Sequence, residues 1–319
     1  MLSGRRLKTL TLAIVTVFWV ATGSAAQKDL NLTERYPSAE GKKLVVDAAD
    51  LDLTLRTADV AEIEAEIRLH ISGTGEEKGQ GWIDGHTPIF TDTEDVLKIT
   101  VNPGKKGFLG FGKFSARARL GLLVPAGVIP DITTTKGAIQ VRGDFPDARP
   151  LQLRSMKGDI TFVGAAGGMR IDGADGDADI EVIRPLEAFN ASTSSGDVRL
   201  VGGARETKVG TASGQIWLEN LSGSVNISTS TGKVNITWDR LAPDATVRIR
   251  SSSGQVQLVV PEGVHPQGTL TTTTGSIRSE LPGEVVGDGS TLRLSGDGPI
   301  FDVETASAEI VLSISQIRE

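Results

Sequence analysis

From about residue 130 onward, apolar and polar residues alternate with period two, and Ser/Thr-rich turns ending in glycine interrupt the alternation at nearly even intervals. The stretch TVRIRSSSGQVQLVVPEG, Thr246 to Gly263, shows the unit: an alternating run, a hydroxyl-rich turn, and a second alternating run. Aligned on the turn glycine, the copies are TTKGAIQV (Gly137), SMKGDITF (Gly158), GADGDADI (Gly176), TSSGDVRL (Gly196), TASGQIWL (Gly214), TSTGKVNI (Gly232), SSSGQVQL (Gly254) and TTTGSIRS (Gly275). A ninth copy, TASAEIVL, carries Ala308 in the glycine slot, and the spacings run 21, 18, 20, 18, 18, 22, 21 and 33.

The columns of this alignment fix which face is buried. Two residues after the glycine stand Ile139, Ile160, Ala178, Val198, Ile216, Val234, Val256, Ile277 and Ile310, and five before it stands a second aliphatic column from Ile132 to Val303. Side chains alternate across a strand, so each copy turns one apolar face inward on both sides of its bend. Three before the glycine, eight of nine residues are Ser or Thr; such hydroxyls satisfy backbone groups left unpaired by a sharp bend. A lone copy cannot bury its apolar face, whereas stacked copies form one continuous core.

The expected fold is therefore all-β: a right-handed parallel β-solenoid with short rungs of about 18–22 residues. An antiparallel β-sandwich of hairpins is the alternative, with the same alternation but rarely so constant a period. Residues 130–319 form the repeat. Residues 27–129 keep β character without the period and read as an N-terminal β cap, because an open solenoid end exposes unpaired strand edges. Within the cap, KLVVDAADLDLTLRT reads as a degenerate rung with Leu51, Leu53 and Leu55 inward, and the chain after residue 26 shows no long helical periodicity. The insertion VVGDGSTLRLSGDGP explains the 33-residue gap, as a hairpin closing or flanking the final rung.

Residues 1–26 have the anatomy of a secretory signal peptide: Arg5, Arg6 and Lys8, an apolar run from Leu10 to Ala21, and the small-residue exit Ser24-Ala25-Ala26. An uncleaved anchor is the alternative, although the run is short of the roughly 20 residues that a membrane helix needs. Cysteine is absent, which excludes disulfides, thiolate chemistry and cysteine-ligated zinc. Loss of the leader takes three positive charges from the formal −7 and leaves −10, which argues against nucleic acid. The expected location is outside the cytoplasm: periplasmic, bound to the cell envelope, or secreted.

With these columns in view, the chain resembles the bacterial putative-adhesin domain family of unknown function, β-solenoid modules of secreted and envelope proteins. LLVPAGVIPDITTTKGAIQV and VVPEGVHPQGTLTTTTGSIRSELP carry the resemblance, each a Val-Pro-x-Gly-Val turn leading into a Thr-rich rung, together with DVETASAEIVL, where Ala308 departs from the usual glycine. The resemblance implies a non-enzymatic binding or scaffold module of the envelope, with no cofactor and no active-site residues to carry over. Its partners would be an envelope protein or a glycan. Membrane contact would come through the 105–114 loop or an uncleaved N-terminus. The alternatives are a polysaccharide-active β-helix enzyme and a membrane-tethered envelope-stress module.

Several motifs resemble sites of chemistry. GFLGFGKF (107–114) nearly spells a phosphate-binding loop, but Phe114 stands where Ser or Thr should hold magnesium, and a strand follows in place of a helix. What remains is a loop offering Phe108 and Phe111 among lysines as a surface contact, or folding back as a plug. Asp172, Asp175, Asp177 and Asp179 suggest calcium by density alone; alternation scatters them, so solvated turn acids are the simpler reading. Ser230-Thr-Gly-Lys233 crosses a turn and lacks the helix that its β-lactamase look-alike requires. His70, His86 and His265 lack metal-ligand spacing. Arg199, Asp179 and Arg278 face outward, as carbohydrate-cleaving residues would. Trp217 projects from the outer face of a middle rung, where it could stack on a sugar ring or be covered by the N-terminal segment.

Overall fold

The structure is a computed structural model that describes residues 14–22, 25–73, 76–102, 114–145 and 149–315. Strands β1 (Ile14–Thr22) and β2 (Ala25–Pro37) form an antiparallel hairpin. Then come β3 (Lys43–Asp50), β4 (Asp52–Thr57) and β5 (Glu62–Gly73), a helix α1 (Glu76–His86), β6 (Ile89–Asp92), β7 (Val96–Val101) and β8 (Phe114–Val124). One short helix, α1, interrupts the β character of the cap. EEKGQGWIDGH holds three glycines and no 3.6-residue apolar pattern, so intrinsic propensity argues against it. Burial of Ile83 in the core, with Trp82 packed against it, supplies what propensity does not.

Seven regular rungs follow, each a strand pair split by its glycine turn. They are β9 (Ile129–Lys136) and β10 (Ile139–Asp144), β11 (Leu151–Lys157) and β12 (Ile160–Ala165), β13 (Gly168–Asp175) and β14 (Ala178–Val182), β15 (Leu186–Ser195) and β16 (Val198–Val201), β17 (Ala204–Ser213) and β18 (Ile216–Leu221), β19 (Ser224–Thr231) and β20 (Val234–Trp238), and β21 (Thr246–Ser253) and β22 (Val256–Val260). The first strand of each pair lies in one parallel sheet and the second in the other. The register is one residue per column: Ile216 sits beside Val234, and Val234 beside Val256. All three are fully buried. This is a parallel β-solenoid, and the sandwich alternative is excluded by the strand directions.

Three ladders make the bend. The glycines stack so closely that a Cβ on Gly232 would lie 2.0 Å from the carbonyl oxygen of Gly214, and its φ is +127°. The hydroxyl column turns inward and caps the backbone: Thr211 Oγ1 donates to Ser213 O at 2.9 Å, and Thr229 Oγ1 to Thr231 O at 3.2 Å. Just after the glycine, carboxylates receive amides of the next rung, Asp159 from Asp177 N (3.0 Å), Asp177 from Asp197 N (2.8 Å) and Asp197 from Gln215 N (2.7 Å). Each such bond joins neighbouring rungs at the point where the strand ladder is interrupted, and a charged acceptor makes it stronger than a neutral one.

The ends depart from simple stacking. After β22 come β23 (Gln267–Thr272), β24 (Ile277–Ser279), the strands β25 (Gly283–Val286) and β26 (Thr291–Ser295), then β27 (Ile300–Thr305) and β28 (Ile310–Ile314). β27 lies between β21 and β23, and β28 between β22 and β24. The last rung in the chain is thus the second-last in space. The chain steps over one rung position after β22, builds the outermost rung, and returns to fill the gap. The insertion does form a hairpin, but β26 extends β23 and so flanks the 267–279 rung, not the final copy. The other end repeats the manoeuvre: β3 and β4, the degenerate rung, lie between β7–β8 on one side and β9–β10 on the other. Leu51, Leu53 and Leu55 point inward as expected.

Candidate functional site

The inner faces are closed by aliphatic side chains, so ligand chemistry falls to the outer faces and ends. On the outer face of the β10-to-β22 sheet, Trp217 of β18 stands between Arg199 of β16 and Asn235 of β20. It is 45% exposed, and its indole N–H donates to the Glu219 carboxylate. No described segment covers it. Arg199 gives its guanidinium to Asp179 at 2.8 Å, and that hydrogen bond raises its pKa further. Arg278, on β24, pairs instead with Glu309 at 3.0 Å. Five strand spacings separate β16 from β24 in the sheet order, about 24 Å at 4.8 Å each. Arg199 and Asp179 therefore pair with each other, while Arg278, the third charged residue suggestive of carbohydrate cleavage, does not join them. Trp238, six residues after its glycine, is buried, donates to Gly223 O at 3.1 Å and tilts against Phe301.

The four turn aspartates have four different tasks. Asp172 takes Arg154 and Arg170, Asp175 accepts from Ser195 Oγ at 2.8 Å, Asp177 accepts the next rung's amide, and Asp179 holds Arg199. Among the described residues no group of three or more His, Asp or Glu side chains is placed to hold a metal ion. The histidines lie apart: His70 bonds Asp29 at 2.6 Å, while His86 is buried at the end of α1, stacked on Trp82. Phe108 and Phe111 lie outside the described residues, as do Arg5, Arg6 and Lys8. The segment after GFLGFGKF is the strand β8, as its alternation indicates.

A second surface was not anticipated. Where the parallel rungs give way to the antiparallel extension β8, β5 and β2, the outer face sinks into a cleft of about 780 Å³. Arg56 on β4, Arg119 on β8 and Arg68 on β5 line it, with Thr54, Gly121 and Gln140 along the floor and Asp52, Glu64 and Glu66 among its walls. Arg68 and Arg119 also line a neighbouring depression of about 430 Å³ with Arg117 and His70. Alternation in SARARLGLLVP does put Arg117 and Arg119 on one face. Their proximity to Arg56 depends on pairings between β4, β5 and β8 that no local pattern announces. The opposite sheet handles its charges differently: Arg154 bonds Asp131 and Asp172, and Arg250 bonds Asp302 and Glu304, so charge is matched there locally.

A two-sheet parallel β-solenoid with interlocked ends and open polar outer faces is the class that these features define. The chain belongs to the Toastrack DUF4097 family, whose model matches residues 42–296. It is similar to solved structures of a putative adhesin from Parabacteroides merdae (10% identity, 90% of this chain and 96% of that one, TM-score 0.42) and a putative adhesin from Bacteroides fragilis (9%, 89% and 96%, TM-score 0.39). It is also similar to a putative lipid binding protein from Parabacteroides distasonis (11%, 92% and 98%, TM-score 0.39). No curated protein matches the chain. Among the described residues no helix is long and apolar enough to cross a membrane.

Proposed function

We propose that the protein is a non-enzymatic, adhesin-like binding module that acts outside the cytoplasm, its rigid rungs presenting fixed columns of side chains to an envelope component or glycan. The observation that carries this reading is Trp217, an indole exposed in the middle of a flat polar face. A large amphipathic ring held on a rigid strand loses little entropy on contact and is a favoured anchor for binding. Asp179 is tied to Arg199 and Arg278 lies five strands away, so this set offers no second carboxyl group across from the first, which supports binding over hydrolysis, where two carboxyl groups are set across a scissile bond. Export rests on the leader-like residues 1–26.

The experiment is a glycan and envelope-fraction binding screen with Trp217→Ala as control, run beside a reducing-end assay on the same glycans. Saturable binding that weakens at least about tenfold in the variant, with no new reducing ends, is the expected result. Release of reducing ends that disappears when outward acids are replaced would overturn the reading. Intact mass of the protein recovered from an exporting host tests the leader, with loss of residues 1–26 expected.

A further inference from the structure

We propose that the cleft between β4, β5 and β8 binds an acidic oligosaccharide. This deepens the binding-module reading and rests on it, but uses a different surface. The first observation concerns charge. Each acid of the cleft is already engaged: Asp52 accepts the amide of Ala138 at 3.2 Å, Glu64 holds Arg35 at 2.9 Å, and Glu66 takes a bidentate pair from Arg68 at 2.8 and 2.9 Å. Arg56, Arg119 and the adjoining Arg142 and Arg117 are exposed and have no ion pair or hydrogen bond. The lining itself balances three arginines against three acids, and the adjoining Arg117 and Arg142, with Arg35 held by Glu64, tip the surroundings of the cleft to positive on a chain whose formal charge is −7.

The second observation is register. Arg142 lies directly across from Arg56 on neighbouring strands, and Arg119 directly across from Arg68. Like charges in cross-strand positions destabilise a sheet. Here one such pair, Arg119 and Arg68, lines the concavity and the other places Arg56 in it with Arg142 just outside, so a bound anion would relieve both. Arginine suits the purpose, since its planar fork meets a carboxylate or sulfate through two hydrogen bonds.

The geometry selects the kind of anion. Arg119 is level with Asp52, four residues along the strand from Arg56, about 13 Å at 3.3 Å per residue. One phosphate or sulfate does not bridge that gap; an extended oligomer with a charge on each unit does. Between the two walls the floor offers Gln140 and Thr54 for hydrogen bonding. Gly121 keeps the floor low where a side chain would stand. A Cβ there would meet Glu66 only at ordinary contact distance, 3.8 Å, so glycine is not forced by strain. A bilayer fits poorly. The surface is concave, and none of the exposed large apolar residues, Ile89, Met156, Ile183, Trp217, Val285 and Ile300, lines it.

The test is calorimetric titration of the full chain with tetragalacturonate, its neutral methyl ester, and vesicles containing phosphatidylglycerol. Arg56→Gln with Arg119→Gln is the test variant; these side chains have no partners to lose. Arg205→Gln, on the other sheet, is the control, and Trp217→Ala is titrated alongside to show which surface is used. Expected are binding of the acidic oligomer alone, at least about tenfold weaker in the double variant and falling with salt, with Arg205→Gln at wild-type affinity. Equal binding of the methyl ester, binding of vesicles in its place, or no binding of the acidic oligomer would overturn the proposal. Binding that depends on Trp217 and not on the arginines would also overturn it, while sustaining the broader binding-module reading. Cleavage of the oligomer would overturn that reading itself.

Discussion

The two ends of the solenoid close by the same topological device with different materials. At the N-terminal end, one sheet outruns the other through β5 and β2, with β1 beyond them while residues 1–26 are retained, and α1 lies against β2 and β5. Ile83, the half-buried Trp82 and the stacked pair Tyr36 and Phe90 add bulk to this end. At the C-terminal end the other sheet outruns its partner, through β26 and β25 alone. Leu292 and Leu294 are buried there, but Val285 on the same face of the edge strand is 64% exposed. In both places a terminal rung is held between two neighbours, so the rung nearest each chain end is not a sheet edge. Unpaired edges invite association with other chains, and the short β25 keeps the C-terminal edge small. The N-terminal cap is thick and contains the basic cleft; the C-terminal cap is thin and depends on interlocking.

The sharpest way to break that contrast is to remove the interlocked rung. A chain ending at Pro299 lacks β27 and β28, which supply every strand contact between β21–β22 and β23–β24. The slot would expose Phe301's and Val303's former neighbours to water, and each lost large apolar side chain is worth roughly 1.5–3 kcal/mol. The 261–299 segment is expected to detach, seen as rapid proteolysis there and a fall in Tm, while the cap at the other end keeps its protection. A synthetic peptide covering 298–316 should restore protection. Persistence of protected β23–β26 amides in the truncated chain would show that interlocking does not hold this end.

A smaller effect separates the regular rungs from the interlocked ones. Gly232→Ala pushes a Cβ to within 2.0 Å of a backbone oxygen at a left-handed φ, and because that oxygen belongs to the preceding rung, two rungs must shift. A loss of about 3 kcal/mol or more is expected from urea denaturation. In the final rung the equivalent residue is Ala308, which does not have a positive φ. Ala308→Gly should therefore cost only about 0.5–1 kcal/mol, through the greater freedom of the unfolded chain. Equal effects would mean that the two kinds of bend are built alike.

These particulars show where the sequence was informative. The aliphatic columns and the hydroxyl column announced the solenoid, because stacking in register repeats the same environment and so selects the same residue type. Rung order was hidden for the same reason. Leu270 and Val303 occupy equivalent columns and would fit either slot, so the alternation cannot say which rung lies outside. Helix α1 was hidden because its stability comes from packing and not from propensity. Trp217 was found because alternation alone places it outward. The arginine cleft was not, since its walls come from segments 52–57, 62–73 and 114–124 whose adjacency follows from the interlock.

The finest comparison is electrostatic. Each interlocked rung is tied to the regular stack by charge: Lys43 on β3 reaches Asp131 on β9 at 2.9 Å, and Asp302 on β27 receives Arg250 at 2.6 Å and Arg248 at 3.3 Å, both on β21. The hydrogen bond from Arg250 is the main cause of a lowered pKa at Asp302, opposed in part by burial. A carboxylate whose pKa is lower in the folded state stabilises the fold fully above its unfolded value and loses that contribution as pH falls through the folded one. The pair is partly exposed, so its worth is about 0.2–1 kcal/mol. Asp302→Asn should lower the unfolding free energy from urea titration at neutral pH by that amount, and the gap from wild type should begin to close as pH falls through about 4 and vanish in stronger acid, where the folded carboxyl group protonates. A gap that stayed constant into strong acid would assign the loss to packing and remove the charge tie from the account of how the final rung is held.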